Sequence, residues 1–372
     1  MQLNEPRILI KPHPLWCLVG IMKKSLIGAL AVSTMMTPIA AYAQTEVQFW
    51  HAFTGRLGEL VKQQVADFNA SQGDYTIVES HKGNYSETLN SGIAAFRAGE
   101  QPHILMVFEV GTATMMAAPG ATRPVHEVMA QSGATFDPDA YIGAVKGYYT
   151  TTDGDMLSLP FNSSTPVLWV NRDAMEAAGV DPDTDLSTWQ NVGATLDALK
   201  AGGEECPLVT AWQSWIHLEN FSAYHDVPFA SKDNGFAGTG TELMLNGEAQ
   251  VAHLTAMGQW AADGKFIYTG RRNEGGANFR AGDCALFTES SAGYAGISSE
   301  AEFKFDVRPL PYWEGVGNAP QNTIIGGASL WVMEGHEDAE YKGVGEFLSF
   351  LSSSDVQAAW HQNTGYLPIT AE

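Results

Sequence analysis

The sequence has few cysteines, few basic residues and no long apolar run outside its first 43 residues. Three cysteines in 372 residues are too few for a fold built on disulfides. Neither Cys206 nor Cys284 has a second cysteine or a histidine at metal-ligand spacing, so no metal site is expected. The formal net charge is −22, from 20 basic and 42 acidic residues. Such a charge disfavours long-range attraction to nucleic acid or anionic lipid and favours a soluble monomer.

The common signatures of hydrolases are also missing. The chain contains no Gly-x-Ser-x-Gly turn, no P-loop and no His-Glu-x-x-His motif. Histidines are scattered, and His51, although it follows a strand, is better interpreted as a structural side chain than as a ligand. The sequence therefore predicts neither an enzyme nor a cofactor or metal site.

Residues 22–43 have the three parts of a secretory signal peptide. Lys23 and Lys24 precede an apolar stretch, Leu26–Ala40, and the small residues Ala41 and Ala43 flank Tyr42 at the cleavage site. A membrane anchor is the alternative, but the apolar stretch is shorter than the roughly 18–20 residues of a spanning helix. We expect Met22 to be the true start, residues 1–21 to be an upstream extension, and the mature protein to lie in the periplasm.

An exported chain reaches an oxidising compartment. Cys17 is removed with the leader, which leaves Cys206 and Cys284 either as a disulfide or as two separate buried thiols. The sequence leaves both possibilities open.

Strands and helices alternate from the mature N-terminus. Apolar strand-like segments at 47–50, 75–78 and 104–108 are separated by segments of helical periodicity. A second unit of the same kind begins near Pro160, with a strand predicted at 166–170 and a helix at 188–200. The length favours two domains, and no Pro-, Gly- or Ser-rich linker separates them. The pattern predicts two α/β lobes joined by several crossings, with a ligand cleft between them.

Seven segments are more specific than any periodicity. They are His81–Tyr85, Phe108–Met116, Pro160–Leu168, Asn171–Pro182, Trp212–Trp215, Gly326–Trp331 and His361–Pro368. Together they resemble the periplasmic sn-glycerol-3-phosphate-binding proteins of bacterial ABC importers, within the wider maltose-type solute-binding family. The resemblance covers the whole mature chain.

The resemblance implies a periplasmic-binding-protein fold with three hinge crossings. Lobe 1 is expected to comprise 44–160 and 312–350, and lobe 2 is expected to comprise 161–311 and 351–372, incomplete at its C-terminus. The implied ligand is sn-glycerol 3-phosphate or a glycerophosphodiester such as glycerophosphocholine. The implied partner is a heterodimeric membrane permease with associated ATPase subunits.

The resemblance also implies a ligand site. Its residues in this sequence are Tyr85, Glu109, Ser164, Trp212, Trp215, Ser290, Gly327 and Tyr366. The family continues for several tens of residues and carries a phosphate-contacting arginine there, whereas this sequence ends at Glu372.

Each of these residue types suits the ligand, but each also has an ordinary structural interpretation. Ser164 and Ser290 offer hydroxyl donors to phosphate, although serines are also common in turns. Glu109 can accept hydrogen bonds from glycerol hydroxyls, or it can cap the helix that follows. Trp212 and Trp215 can contact glycerol carbons or a choline group, or they can pack in a core.

Three other interpretations compete with this one. An exported glycerophosphodiester hydrolase requires a metal cluster or an activated nucleophile, which the motifs do not supply. A same-fold protein that binds an oligosaccharide or another polar solute is the stronger alternative. A scaffold or adhesin fits poorly with two α/β lobes.

Overall fold

The computed structural model describes residues 44–235 and 237–371, which form two mixed β-sheets flanked by helices. The expected upstream extension and signal peptide lie outside the described residues. The strands of the first sheet are β1 Thr45–His51, β2 Tyr75–His81, β3 Ile104–Phe108, β4 Thr122–Arg123, β5 Leu159–Ser164 and β11 Gly326–Met333. Those of the second are β6 Pro166–Asn171, β7 Leu208–Thr210, β8 Phe266–Ile267, β9 Leu286–Ser290 and β10 Phe305–Pro309.

In the first sheet the strand order is β2-β1-β3-β11-β4, and β5 also pairs with β11. β1 runs parallel to β2 and β3, whereas β11 runs antiparallel to β3 and β5. The second sheet has the order β10-β6-β9-β7-β8, with parallel pairing of β7 to β8 and β9. Helices cover these sheets because strands such as β3 are apolar and buried on both faces.

The helices alternate with the strands, as predicted. They are α1 Gly55–Ser71, α2 Tyr85–Ala98, α3 Thr112–Met116, α4 Val125–Ser132, α5 Gly143–Tyr148, α6 Arg172–Ala177, α7 Trp189–Ala201, α8 Phe221–Tyr224, α9 Ser231–Asn234, α10 Glu248–Ala262, α11 Gly275–Arg280, α12 Tyr294–Glu300, α13 Asp338–Leu351 and α14 Ser354–Thr364. A π-helix, Trp215–Asn220, precedes α8. In the described part of the chain, no helix is both long and apolar enough to cross a bilayer.

The chain passes from the first sheet to the second at Thr165, between β5 and β6, and returns through residues 310–325. These two crossings touch each other, since the hydroxyls of Thr165 and Thr323 are 2.7 Å apart. Each lobe therefore has its own sheet, and in the described residues the lobes meet at a hinge of two adjacent segments instead of the three crossings that the resemblance implies.

The lobe boundaries differ from the expected ones at three places. Residues 161–164 belong to the first sheet through the pairing of β5 with β11. Trp313 packs in the core of the second lobe, and its backbone N–H donates to His225 Nε2 at 2.8 Å, so the second crossing is held by lobe 2 rather than lobe 1. The assignment of 351–372 to lobe 2 is also wrong for the described residues up to 371, because Trp360 and Tyr366 pack in the core of lobe 1.

Cys206 and Cys284 are joined by a disulfide across 78 residues of sequence. The two cysteines lie just before β7 and β9, which pair in parallel. The backbone already joins the strands here, because Ala285 N–H donates to the Cys206 carbonyl at 3.0 Å. The crosslink therefore joins two strand ends that backbone hydrogen bonds already hold together.

A chain of hydrogen bonds crosses the core of the second lobe. Trp313 Nε1–H donates to His253 Nδ1 at 2.9 Å, which leaves the proton of neutral His253 on Nε2. That nitrogen donates to His217 Nδ1 at 3.1 Å, and His217 Nε2 lies 3.0 Å from Thr210 Oγ1 and 3.2 Å from Thr288 Oγ1. Each ring nitrogen of His253 and His217 thus donates or accepts one of these hydrogen bonds in a way that requires both imidazoles to be neutral.

Acid is expected to weaken this lobe through His217. Burial lowers the pKa of His217 to about 4, while an unfolded histidine titrates near 6.5. Between these values the unfolded chain binds more protons, so the free energy of unfolding falls by about 3 kcal/mol as the pH drops from roughly 6.5 to 4. Urea unfolding at pH 7.5 and pH 4.5 measures this loss.

The matched variant is His217→Gln, which does not titrate. It is expected to be less stable than the wild type at neutral pH but to lose less stability between pH 7.5 and 4.5. Equal pH dependence in the two proteins would exclude His217 as the source of the acid sensitivity.

Candidate functional site

The candidate site lies where the carboxyl ends of several strands meet between the two sheets. Glu109 directly follows β3, Ser164 ends β5 and Ser290 ends β9. Trp212 follows β7 closely, and Gly327 lies at the start of β11, which is antiparallel to β3. This is the position at which open α/β sheets bind ligands.

Tyr85 joins the two lobes through its ring. As the first residue of α2, it stacks on Phe108 at 5.3 Å between ring centroids. The Trp212 ring, which comes from the second lobe, lies 6.4 Å from it. Burial raises the pKa of the Tyr85 hydroxyl, and the nearby carboxyl of Glu109 acts in the same direction. The hydroxyl is therefore a neutral donor at any physiological pH.

Tyr366 lies on the other side of the same aromatic group. Its ring stacks on Trp360 at 6.0 Å and is 6.1 Å from the ring of Phe53. Burial raises the pKa of the Tyr366 hydroxyl far above the usual range, and the neighbouring Tyr85 raises it further. The two phenols are thus neighbours, although they are 281 positions apart in the sequence.

Glu109 is held in an environment that favours its protonated form. Burial raises the pKa of its carboxyl to about 8, and the charge of Glu219 in the second lobe adds to this effect. Backbone hydrogen bonds from Glu109 itself and from Gly327 partly oppose it. The helix-capping interpretation does not hold, because Glu109 begins the short 3-10 helix Glu109–Gly111 instead of preceding it.

Gly326 and Gly327 allow side chains from both lobes to approach the backbone closely. A Cβ on Gly326 would lie 2.6 Å from Trp215 Cζ2 and 2.8 Å from Ser164 Oγ. Gly327 has a φ of 116°, and a Cβ there would be 2.2 Å from the carbonyl oxygen of Asn162. Only glycine fits at these two positions, and the Gly327 N–H donates to the Glu109 carboxyl.

Ser290 has a structural role in addition to its place in the cleft. Its Oγ accepts the backbone N–H of Ala292 at 3.1 Å and so caps the short helix Ser291–Gly293 that leads into α12. The Ser290 hydroxyl hydrogen is still available to donate, because capping uses only an oxygen lone pair. The eight residues that the resemblance implied lie at strand ends and on neighbouring segments at the junction of the two sheets, and their role as one ligand site stays a prediction.

Three further polar residues of the cleft were not singled out from the sequence. Asn162 is 2% exposed, and neither atom of its amide has a hydrogen-bond partner of good geometry in the described residues. Burial raises the pKa of Glu289 to about 8, and burial also raises that of Glu219. Asn162 could have been found, since it precedes Ser164 by two residues and shares its face of β5.

His103, His336 and Glu340 are close enough for a metal ion, with candidate ligand atoms within 4.8 Å of one another. However, His103 Nδ1 accepts the backbone N–H of Gln48 at 2.9 Å, so neutral His103 carries its proton on Nε2, which faces Glu340 at 3.4 Å. His336 Nε2 lies 3.0 Å from the Pro102 carbonyl, to which it donates. A metal needs a nitrogen lone pair facing it, so this group is arranged for hydrogen bonding.

Comparisons with known proteins agree with the resemblance found in the sequence. Residues 63–372 match the family described as bacterial extracellular solute-binding protein. The sn-glycerol-3-phosphate-binding periplasmic protein UgpB of Yersinia pestis bv. Antiqua (strain Antiqua) is 49% identical over 331 residues, covering 89% of this chain and 75% of that protein. The protein of the same name from Escherichia coli (strain K12) is 48% identical with the same coverage.

Solved structures share the fold at much lower identity. UgpB from Mycobacterium tuberculosis in complex with glycerophosphocholine has a TM-score of 0.73 at 19% identity, covering 88% of this chain and 82% of that one. Maltose-bound MalE3 of T. maritima has a TM-score of 0.73 at 17% identity, with 88% and 82% covered. The predicted two-lobed α/β fold is confirmed.

Proposed function

This chain belongs to the bacterial extracellular solute-binding proteins, and from that premise we propose that it captures sn-glycerol 3-phosphate and glycerophosphodiesters such as glycerophosphocholine. Family membership confirms the prediction of a binding protein rather than an enzyme. The relatives named above bind sn-glycerol 3-phosphate, and one structural neighbour holds glycerophosphocholine. The observation that carries the proposal is a cleft whose hydrogen-bond donors are neutral groups.

These donors suit a phosphate that must be bound and released. Ser164 and Ser290 supply hydroxyls, Tyr85 and Tyr366 supply phenols that stay protonated, and Gly327 leaves room for the ligand because it has no side chain. Neutral donors stabilise an anion without a buried counter-charge, whose desolvation would be costly. Closure of the two lobes then excludes water and strengthens each of these bonds.

Glu109 sets the orientation of the ligand in this proposal. The Glu109 carboxyl group can hydrogen-bond to both glycerol hydroxyls. When this carboxyl group is ionised, it repels a phosphate placed beside it. Trp212 and Trp215 contact the glycerol carbons or the alcohol group of a diester. Each part of the ligand thus has a counterpart of matching chemistry.

We further propose that the protein acts in the periplasm after removal of a signal peptide. As a monomer, it delivers the ligand to an ABC permease heterodimer driven by two ATPase subunits. The periplasmic relatives support this location, and the acidic composition is consistent with a soluble carrier.

Isothermal titration calorimetry of residues 44–372 tests the ligand. We expect binding of sn-glycerol 3-phosphate and glycerophosphocholine, and none of maltose. Binding of maltose alone would establish the oligosaccharide alternative, which the shared fold allows. Release of choline from glycerophosphocholine during incubation would contradict the role as a binding protein. If a folded sample gives no heat of binding with either phosphate ligand, the proposal is refuted.

A further inference from the structure

His51 connects the first sheet to the segment that carries Phe53. It is the last residue of β1 and is fully buried. Its carbonyl accepts the backbone N–H of Lys82 at 2.9 Å, which continues the pairing of β1 with β2 to the ends of both strands. The chain then enters residues 52–54, here called the Phe53 loop, which end at Thr54, the N-cap of α1. The His51 side chain therefore lies at the start of this loop.

Both ring nitrogens of His51 take part in hydrogen bonds, and these bonds define the tautomer of the ring. Nδ1 accepts the backbone N–H of Phe53 at 3.2 Å. Because Nδ1 accepts, the proton of the neutral ring is on Nε2, which donates to Glu79 Oε2 at 2.7 Å. A doubly protonated imidazole has no lone pair with which to accept the Phe53 N–H. The observed position of the loop thus requires His51 to be neutral.

The ring of Phe53 contacts both phenols of the candidate site. Its centroid is 6.1 Å from those of Tyr85 and Tyr366. It also lies 6.0 Å from Trp360 and 6.5 Å from Phe161, so four aromatic rings surround it. Close-packed interiors have little free volume, and a shift of one ring displaces its neighbours. The position of Phe53 therefore affects where the two phenolic hydroxyls lie.

The other end of the Phe53 loop is held by α1. The Gly58 N–H donates to the Thr54 carbonyl at 3.1 Å, which begins the helix. A Cβ on Gly58 would lie 2.9 Å from the Phe53 carbonyl oxygen, so the helix packs directly on the loop backbone. The loop is thus fixed by the helix on one side and by the His51 ring on the other.

We propose that His51 is a positioning residue for the ligand site, because its neutral ring holds the Phe53 loop where the two phenols can reach the ligand. These phenols are Tyr85 and Tyr366. Glu79 takes part by accepting the Nε2 proton and so fixing the tautomer. The inference rests on the proposed function and adds to it a residue that acts without touching the ligand.

The groups around His51 determine when its ring takes up a proton. Burial lowers the pKa of His51, and the hydrogen-bonded carboxylate of Glu79 opposes this shift. His81, whose ring centroid is 6.1 Å away at the end of β2, and Lys62 of α1 lower the pKa further. From α2, the uncharged hydroxyl of Thr88 lies 3.5 Å from the His51 carbonyl. The ring is therefore neutral at pH 7 and becomes charged only as the pH falls below the usual histidine range.

Ligand affinity is expected to fall in acid as His51 becomes charged. Only the fraction of protein with a neutral ring is competent, so one pH unit below the pKa of His51 the apparent Kd is about tenfold higher. Glycerophosphocholine is the suitable probe, because a phosphate monoester itself titrates near pH 6 and a diester does not. Calorimetry at pH values from 7.5 to 4.5 measures the rise in Kd.

Two amide variants separate the two hydrogen bonds of the ring. His51→Asn keeps an oxygen near the position of Nδ1 as the acceptor for Phe53. It is expected to bind glycerophosphocholine within about threefold of the wild type at pH 7.5 and to lose the acid dependence. His51→Gln keeps a donor towards Glu79 but no acceptor towards Phe53, and is expected to bind about tenfold more weakly at every pH.

Two further variants test the surroundings of the ring. Glu79→Gln keeps an acceptor for the Nε2 proton but removes the charge that favours protonation, so the loss of affinity is expected at lower pH than in the wild type. His81→Gln removes the exposed neighbouring imidazole and is the matched control. It is expected to keep both the affinity and its acid dependence.

A measurement without ligand separates this inference from the proposed function. The near-ultraviolet circular dichroism of the aromatic side chains is expected to change in acid for the wild type, at constant far-ultraviolet signal, and to stay constant for His51→Asn. If the wild type does not bind glycerophosphocholine at pH 7.5, the proposed function fails, and this spectral change alone decides whether His51 positions the aromatic group.

The inference is overturned by any of three results. These are an acid-independent Kd of the wild type, equal acid dependence in the wild type and His51→Asn, and equal affinity of His51→Asn and His51→Gln at pH 7.5. If neither His51 variant folds, Glu79→Gln decides, since an unshifted acid profile in that protein would exclude His51 as its source.

Discussion

Loss of the Cys206–Cys284 disulfide is expected to lower the free energy of unfolding by about 4–5 kcal/mol. The bond closes a loop of 78 residues, and a loop of that length restricts the unfolded chain by about this amount in the chain-entropy model. The native state loses little, since β7 and β9 are already paired beside the cysteines. The effect therefore arises in the unfolded state and leaves ligand affinity nearly unchanged.

Urea unfolding of oxidised and reduced wild type isolates the crosslink, because the two samples have the same side chains. The double variant Cys206→Ala, Cys284→Ala adds the loss of two buried sulfurs and is expected to be slightly less stable than the reduced wild type. Equal urea midpoints for oxidised and reduced protein would show that the bond contributes nothing.

Gly327→Ala is expected to cost about 3–5 kcal/mol of stability and to abolish measurable ligand binding. The added Cβ would lie 2.2 Å from the Asn162 carbonyl oxygen, an atom of the paired strand β5 that cannot move alone. The φ of 116° is strained for any residue with a side chain. Relief requires β11 to shift, which displaces the Gly327 N–H from Glu109.

Gly238→Ala is the matched control. Gly238 has a φ of 130°, and a Cβ there would meet nothing within 4 Å. The Gly238→Ala variant measures the cost of backbone strain without a clash. Its free energy of unfolding is expected to fall by about 1–2 kcal/mol. A Gly327→Ala protein that binds the ligand with wild-type affinity would contradict the placement of Gly327 in the site.

Local patterns predicted the buried strands and capped helices well. The predicted strand at 104–108 matches β3, and its five consecutive apolar residues are typical of a strand buried on both faces of a sheet. The helix predicted at 188–200 is found at 189–201, with Thr188 capping it by accepting the backbone N–H of Asn191. Such signals are contained within a few residues and need no tertiary information.

Features that depend on distant residues were not predictable. The sequence of the π-helix Trp215–Asn220 has no local signal for its wide turn, and the Asn220 side chain accepts a hydrogen bond from Ile324, more than 100 residues away. The placement of α14 in the second lobe was wrong because an amphipathic helix fits either core. The contacts of Trp360 with Phe161, at 5.0 Å between ring centroids, and with Phe53, at 6.0 Å, place it against the first lobe.

The candidate site shows the same division. The eight implied residues lie in short sequence motifs, so a family resemblance identifies them without knowledge of the fold. Glu219 and Glu289 are distinguished instead by their burial after folding, which raises the pKa of both carboxyls. No spacing in the sequence reports that environment.

The contact between the two crossings constrains how the lobes can move. Thr165 and Thr323 join both connecting segments at one point, so the lobes rotate about an axis near that point and do not slide apart. Displacement in a rotation grows with distance from the axis. Spectroscopic labels near Thr323 should therefore keep a constant separation during ligand capture, while a pair placed at Val110 and Leu243, exposed residues of opposite lobes, should report the full opening angle.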